Sequence, residues 1–165
     1  MTGIVNSGTV SLTAAFCLVV VGSSALLADG LSLPPATHPA VKKECAACHM
    51  LYPPGLLPAQ SWQAITGNLA DHFGDNAELD AATTKAIAEY LTANAADANG
   101  RGNKLLRGLD AKVTPARITD LPWWTRKHDK KGRIAPAALA KAGAKFKGDC
   151  KACHDGAEKG VFDDD

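Results

Sequence analysis

Two five-residue stretches, "CAACH" at 45–49 and "CKACH" at 150–154, repeat one pattern: two cysteines three positions apart with a histidine directly after the second. Of the five cysteines in the chain, only Cys17 lies outside these copies, and it sits in an apolar N-terminal run. Two thiols at this spacing reach the two vinyl-derived carbons along one porphyrin edge and form thioethers, and the next histidine is then placed under the iron. The repeat therefore predicts two covalently attached c-type haems. Cys45, Cys48, Cys150 and Cys153 are the attachment residues, and His49 and His154 are the proximal iron ligands.

Other uses of paired cysteines fit less well. Two CxxC pairs can hold one tetrahedral zinc, but the separation from Cys48 to Cys150 far exceeds a zinc-ribbon loop, and zinc does not need both trailing histidines. Exported CxxC pairs also serve as disulfides or redox-active dithiols. Neither use explains why each pair is followed by histidine.

Residues 1–28 carry no charged side chain, and an apolar run extends through "AAFCLVVVGSSALLA". This is the pattern of a secretory signal with small residues near a cut after Ala25 or Ala28, although the usual basic n-region is missing. The run is short for a spanning helix of about 20 residues. Cleavage would remove Cys17 and leave an exported, periplasmic protein; membrane contact is expected only if the leader stays uncleaved. The 18 basic and 17 acidic residues nearly balance, which gives no reason to expect a nucleic-acid partner.

Beyond the leader, the pattern predicts an all-α protein of two small haem-binding lobes, 29–96 and 119–165, joined by a polar linker at 97–118. Residues 39–50 read as a helix entering the first motif, and Pro53, Pro54 and Gly55 break it. A carbonyl of that loop, such as Pro58's, is a candidate acceptor for the second ring N–H of His49. "SWQAITGNLADHF" (61–73) fits a helix capped by Ser61, with Trp62, Ile65, Leu69 and Phe73 facing inward and His72 at the edge of that stripe. Residues 80–96 fit an amphipathic helix capped by Asp80, with Ile87, Tyr90 and Leu91 inward. In the linker, at most one helical turn is expected, at 105–109. Pro122 starts a short helix in which Trp124 and His128 share a face, and Gly132 follows its end. A further helix is expected over 135–146, running toward Cys150, and the tail "GAEKGVFDDD" at 156–165 is expected to fray.

Each iron needs a second axial ligand or an open face. Met1 leaves with the signal, so Met50 is the one mature methionine. Adjacent helical residues point about 100° apart, so a thioether next to His49 cannot reach the opposite face of the same porphyrin. Histidine is the remaining candidate. Beside the two proximal residues the chain has His38, His72 and His128. His72 borders an apolar stripe and His128 follows a tryptophan pair, whereas His38 lies in a proline-rich lead-in. The simplest pairing is local: His49 with His72, and His154 with His128. Spacing leaves a crossed arrangement, a lysine ligand or an empty site open.

The stretches "ECAACHMLYPPGLLPAQSW", "DHFGDNAELDAATTKAIAEYL", "RITDLPWW", "KH" at 127–128 and "CKACHDGAEKG" resemble the periplasmic dihaem cytochromes c with bis-histidine ligation. The resemblance implies a first lobe like a small class I cytochrome c and a second that is mostly irregular with short helices. It implies His72 and His128 as the distal ligands. It also implies electron donation to other periplasmic redox proteins, including a monohaem oxygen-binding cytochrome c. Two histidines per iron leave no room for substrate and lack the potential-raising effect of methionine, so two low-potential electron-transfer haems and no enzyme activity are expected. The competing expectation is a peroxidase-like enzyme or gas-binding cytochrome with one open or displaceable axial site. Lysines at 127, 130, 131, 141, 145, 147 and 151 gather near the second motif, either as an ordinary solvated face or as a docking patch for an acidic partner.

Overall fold

The structure is a computed structural model, and it describes residues 1–3, 30–98, 104–129 and 132–162. The proposed leader, with Cys17, falls almost wholly outside the described residues, as do Lys130 and Lys131. The elements in chain order are β1 (Leu31–Ser32), α1 (Pro39–Cys45), α2 (Ala59–Thr66), α3 (Ala81–Ala93), α4 (Pro122–His128), α5 (Pro136–Ala142) and β2 (Val161–Phe162), with single 3₁₀ turns between them. The fold is all-α in class. Its one described sheet is the antiparallel pairing of β1 with β2.

Helix α3 forms where the pattern requires it. The Asp80 carboxylate accepts the Thr83 backbone N–H at 2.9 Å and the Thr83 hydroxyl at 2.6 Å, which starts the helix. Ile87 and Leu91 are buried one turn apart, and Tyr90 is half-buried between them. Burying a side chain such as Ile87 contributes roughly 1.5–3 kcal/mol.

Helix α2 departs from the expectation. It begins at Ala59 and not at Ser61, whose side chain is fully buried inside the helix. Pro58 occupies the cap position and has no side chain able to cap. The missing acceptor arrives from far along the chain, because the Asp97 carboxylate takes the Ala59 N–H at 2.8 Å. The helix also stops at Thr66. Gly67 and Asn68 follow, both poor helix formers, and the chain turns through a 3₁₀ segment at Leu69–Asp71. The helical period therefore ends before Phe73, which is exposed and not inward-facing.

The remaining elements are shorter than their patterns. Helix α1 ends at Cys45, α4 at His128, and α5 at Ala142, where Gly143 takes a left-handed φ of 71°. The tail is not frayed through Phe162. A 3₁₀ turn at Ala157–Lys159 buries Ala157, and Leu33 N–H donates to the Gly160 carbonyl at 2.8 Å. A Cβ on Gly160 would overlap the Leu33 carbonyl, so only glycine permits that approach.

One apolar cluster gathers Val41, Leu57, Trp62, Ile87 and Leu91 together with Leu121 and Trp124. A smaller one joins Leu31, Leu56 and Leu105, and Tyr52, Ile118 and Trp123 pack against both. The segment read as a linker contributes Leu105 at 0% exposure, in a 3₁₀ turn at Lys104–Leu106. It is tied down by polar contacts as well: Arg126 donates to the Arg107 carbonyl at 2.8 Å, and Gln60 to the Val113 carbonyl at 3.0 Å. Among the described residues, no helix is long and apolar enough to cross a membrane.

Candidate functional site

Both CxxCH segments sit at chain turns. The first straddles the end of α1, so Cys45 is the last helical residue and residues 46–49 turn away. The second opens as a 3₁₀ turn at Cys150–Ala152, closed by His154 N–H donating to the Cys150 carbonyl at 2.9 Å. In each copy the first cysteine is half-buried and the second exposed. Burial raises both half-buried thiols above the usual cysteine range, Cys150 to about 11. Among the described residues, no three His, Cys, Asp or Glu side chains converge on one point as a metal-binding cluster. The two CxxC pairs thus do not assemble a zinc site.

The histidines are brought together in two pairs. His49 and His72 have ring centres 6.2 Å apart with planes at 26°, and His128 and His154 have centres 6.1 Å apart with planes at 82°. An imidazole nitrogen binds a metal at about 2.0–2.1 Å, and it lies roughly 1.1 Å from its own ring centre by ordinary bond lengths. Two imidazoles facing each other across one metal ion therefore have centres about 6 Å apart. Both pairs meet that requirement, in the local pairing rather than the crossed one. His38 stands apart, with its ring on Tyr90 at 5.2 Å and its carbonyl accepting the Lys42 N–H that starts α1.

The ring nitrogens are oriented by backbone carbonyls. His49 Nδ1 lies 2.6 Å from the Met50 carbonyl, and His128 Nδ1 lies 2.9 Å from that of Trp124. A carbonyl only accepts, so each Nδ1 donates in these bonds, which leaves Nε2 as the nitrogen that can turn to a metal. The acceptor for His49 is not Pro58, whose carbonyl is taken by the N–H groups of Ser61 and Trp62 at the start of α2. No sequence signal singled out Met50 for this, because the contact is made by its main chain and not its side chain. The Trp124–His128 spacing of four did signal a shared face, and the two rings stack at 4.3 Å and 14°.

His72 is presented differently. It leaves the 3₁₀ turn in a reciprocal backbone bridge with Asp75, its N–H donating at 2.7 Å and its carbonyl accepting at 3.3 Å. Phe73 inside that turn holds φ at 60°, a left-handed conformation costing of order 1 kcal/mol for an aromatic residue. The Arg117 guanidinium lies 4.4 Å over the Phe73 ring. Burial, aided by His49, holds His72 below the ordinary histidine range, with Asp75 opposing. The ring therefore stays neutral, with a lone pair to give, at a lower pH than a free imidazole.

Two thiols, a following imidazole and an opposing imidazole, present twice on a small helical chain, define a class of protein: a c-type cytochrome with two haem sites. The family model for dihaem cytochrome c matches residues 41–162, and the chain belongs to that family. It accordingly carries two c-type haems. Among solved structures it is similar to a diheme cytochrome c from Rhodobacter sphaeroides, at 48% identity and TM-score 0.70, over 78% of this chain and 99% of that one. A second structure, of DHC purified from Rhodobacter sphaeroides, matches at 44% identity and TM-score 0.64 with the same coverage. The diheme cytochrome from Shewanella baltica OS155 matches at 39% identity and TM-score 0.59, over 76% of this chain and 86% of that one. A search of curated proteins returns no match.

Proposed function

We propose that this cytochrome is a periplasmic electron carrier in which each haem is held by two thioethers and two histidines. Cys45, Cys48, His49 and His72 serve the first haem, and Cys150, Cys153, His154 and His128 the second. Each haem, when bound, supplies a one-electron Fe(III)/Fe(II) couple. The observation that carries this reading is the imidazole pair at each site, with centres 6.2 and 6.1 Å apart. A filled coordination sphere leaves no position for substrate, and ligands that stay in place let the charge change with little rearrangement. Imidazole without methionine keeps both potentials low.

Around the second site Lys141, Lys145, Lys147 and Lys151 are exposed, and Phe146 is half exposed among them. Such a rim suits an acidic periplasmic redox protein; a monohaem oxygen-binding cytochrome c is the candidate. Glu158 tempers it by pairing with Lys151 at 3.2 Å.

Low-temperature EPR of the oxidised protein tests the ligation. Low-spin signals from both irons, with no shift on adding CO to the reduced protein at neutral pH, are the expected result. A large high-spin signal, or a CO shift on half the haem, would replace this reading with an enzyme or gas-binding cytochrome that has one open iron.

A further inference from the structure

The two haem-attachment segments face each other across a cleft of about 400 Å³, lined on one side by residues 46–52 and on the other by Lys145, Phe146, Asp149, Lys151 and Glu158. One side chain spans it. The Tyr52 ring lies 5.0 Å from that of His49, and its hydroxyl donates to the Gly148 carbonyl at 2.8 Å. That carbonyl also accepts the Cys150 N–H at 2.9 Å, so its two lone pairs serve Tyr52 and the second attachment segment together. We propose that Tyr52 is a positioning residue that holds the His49 and Cys150 segments at one separation and joins them by a single hydrogen bond. The proposal rests on the haem assignment of the preceding section.

Two further features agree with it. Tyr52 packs against both apolar clusters, so its ring is fixed from more than one side. A Cβ on Gly148 would meet the Phe146 ring at 2.9 Å and the Tyr52 hydroxyl at 3.3 Å, so glycine keeps the approach open. The connection from His49 to Cys150 is then short: a ring contact, one O–H···O=C bond and the Gly148–Cys150 main chain. Exchange between the two centres moves one electron and no proton. The iron that gives it goes from ferrous to ferric, the other goes from ferric to ferrous, and Tyr52 is unchanged.

The test uses the haem-loaded protein with Tyr52→Phe, which removes only the hydroxyl, and Gly148→Ala, which disturbs the same bond from the other end. Electron exchange within the half-reduced protein is followed after flash reduction, and the magnetic interaction between the two ferric irons is read by EPR. Both variants are expected to keep two low-spin irons, slow the exchange several-fold and change the iron–iron interaction. Unchanged exchange and interaction would overturn the proposal, and a lower melting temperature on top of that would mark Tyr52 as packing alone. Should Tyr52→Phe fail to take up both haems, Gly148→Ala decides by the same readings. A high-spin iron in the unaltered protein would instead overturn the ligation reading, so the two failures are distinguishable.

Discussion

The imidazole pairs at 49/72 and 154/128 have almost the same separation, yet the chain builds them from different materials. His128 ends a helix, stacks on the buried Trp124, and has its Nδ1 bonded to the main chain one turn back. His72 lies on a tight turn with a strained neighbour and, among the described residues, no hydrogen bond to its ring. The surroundings are reversed. The 49/72 region contains α3, the longest of the described helices, with its side-chain cap, packed on α2. The 154/128 region has seven-residue helices without side-chain caps, and its Leu121 and Trp124 are buried against Val41, Leu57, Trp62, Ile87 and Leu91 of the other region. A histidine of such a pair can thus be placed by its own helix in a weak scaffold, or by a turn in a strong one. The second route leaves the ring itself less constrained.

The sharpest way to break this comparison is to remove each distal ring in turn. His72→Ala and His128→Ala should each turn one iron high-spin and CO-reactive, affecting half of the haem in visible and EPR spectra. In the unaltered protein, added cyanide should displace His72 at lower concentration than His128; the reverse order would refute the contrast drawn here. Next in size is Trp124→Ala. Trp124 is 6% exposed, and a buried Trp→Ala change costs about 3–5 kcal/mol. Denaturant unfolding should show that loss, and CO should reach the second iron before the first.

A smaller, spectroscopic difference follows from the ring planes, which lie at 26° in one pair and 82° in the other. Near-parallel imidazoles π-bond to the same one of the two iron d-orbitals that lie along the axial direction and split that pair, whereas near-perpendicular ones act on both and leave them close in energy. Oxidised EPR should therefore contain an ordinary rhombic low-spin signal from the 49/72 iron and a more anisotropic one from the 154/128 iron. Two identical signals would contradict the geometry.

The smallest expected effect concerns the α3 cap. Hydrogen bonds from Thr83 hold the Asp80 carboxyl below its ordinary 3.8. A depressed folded-state value stabilises the fold above the unfolded value and loses that contribution as pH falls through the folded one. Asp80→Ala should lower the melting temperature at neutral pH, and the gap to the parent should close in acid. Because the site is exposed, the difference should be modest and should leave both haem spectra unaltered.

Much of the site was legible before any coordinates. The attachment chemistry is contained in five consecutive residues, and five consecutive residues are visible without a fold. The Asp80 cap is likewise a short-range signal. Misreadings arose where a local signal competed with a distant partner. Ser61 had the right chemistry for a cap, but Asp97 supplied it from 38 residues away. Phe73 continued an apolar period that Gly67 had already ended. The tail looked unsupported because its partner, β1, lies at the other end of the described chain.

What the sequence alone determined is a set of donors: four thiols in two CxxCH motifs and the histidine that follows each pair. What only the tertiary structure decided is which donors meet and how firmly each is held. The pairing of His72 with His49, the Met50 and Trp124 carbonyls that set the ring tautomers, and the Tyr52 link between the two attachment segments all depend on chain paths that no short window contains. The physical reason is range. Covalent chemistry and helix caps act over a few residues, whereas facing rings and cross-cleft hydrogen bonds exist only after packing has brought distant segments within about 3 Å of each other.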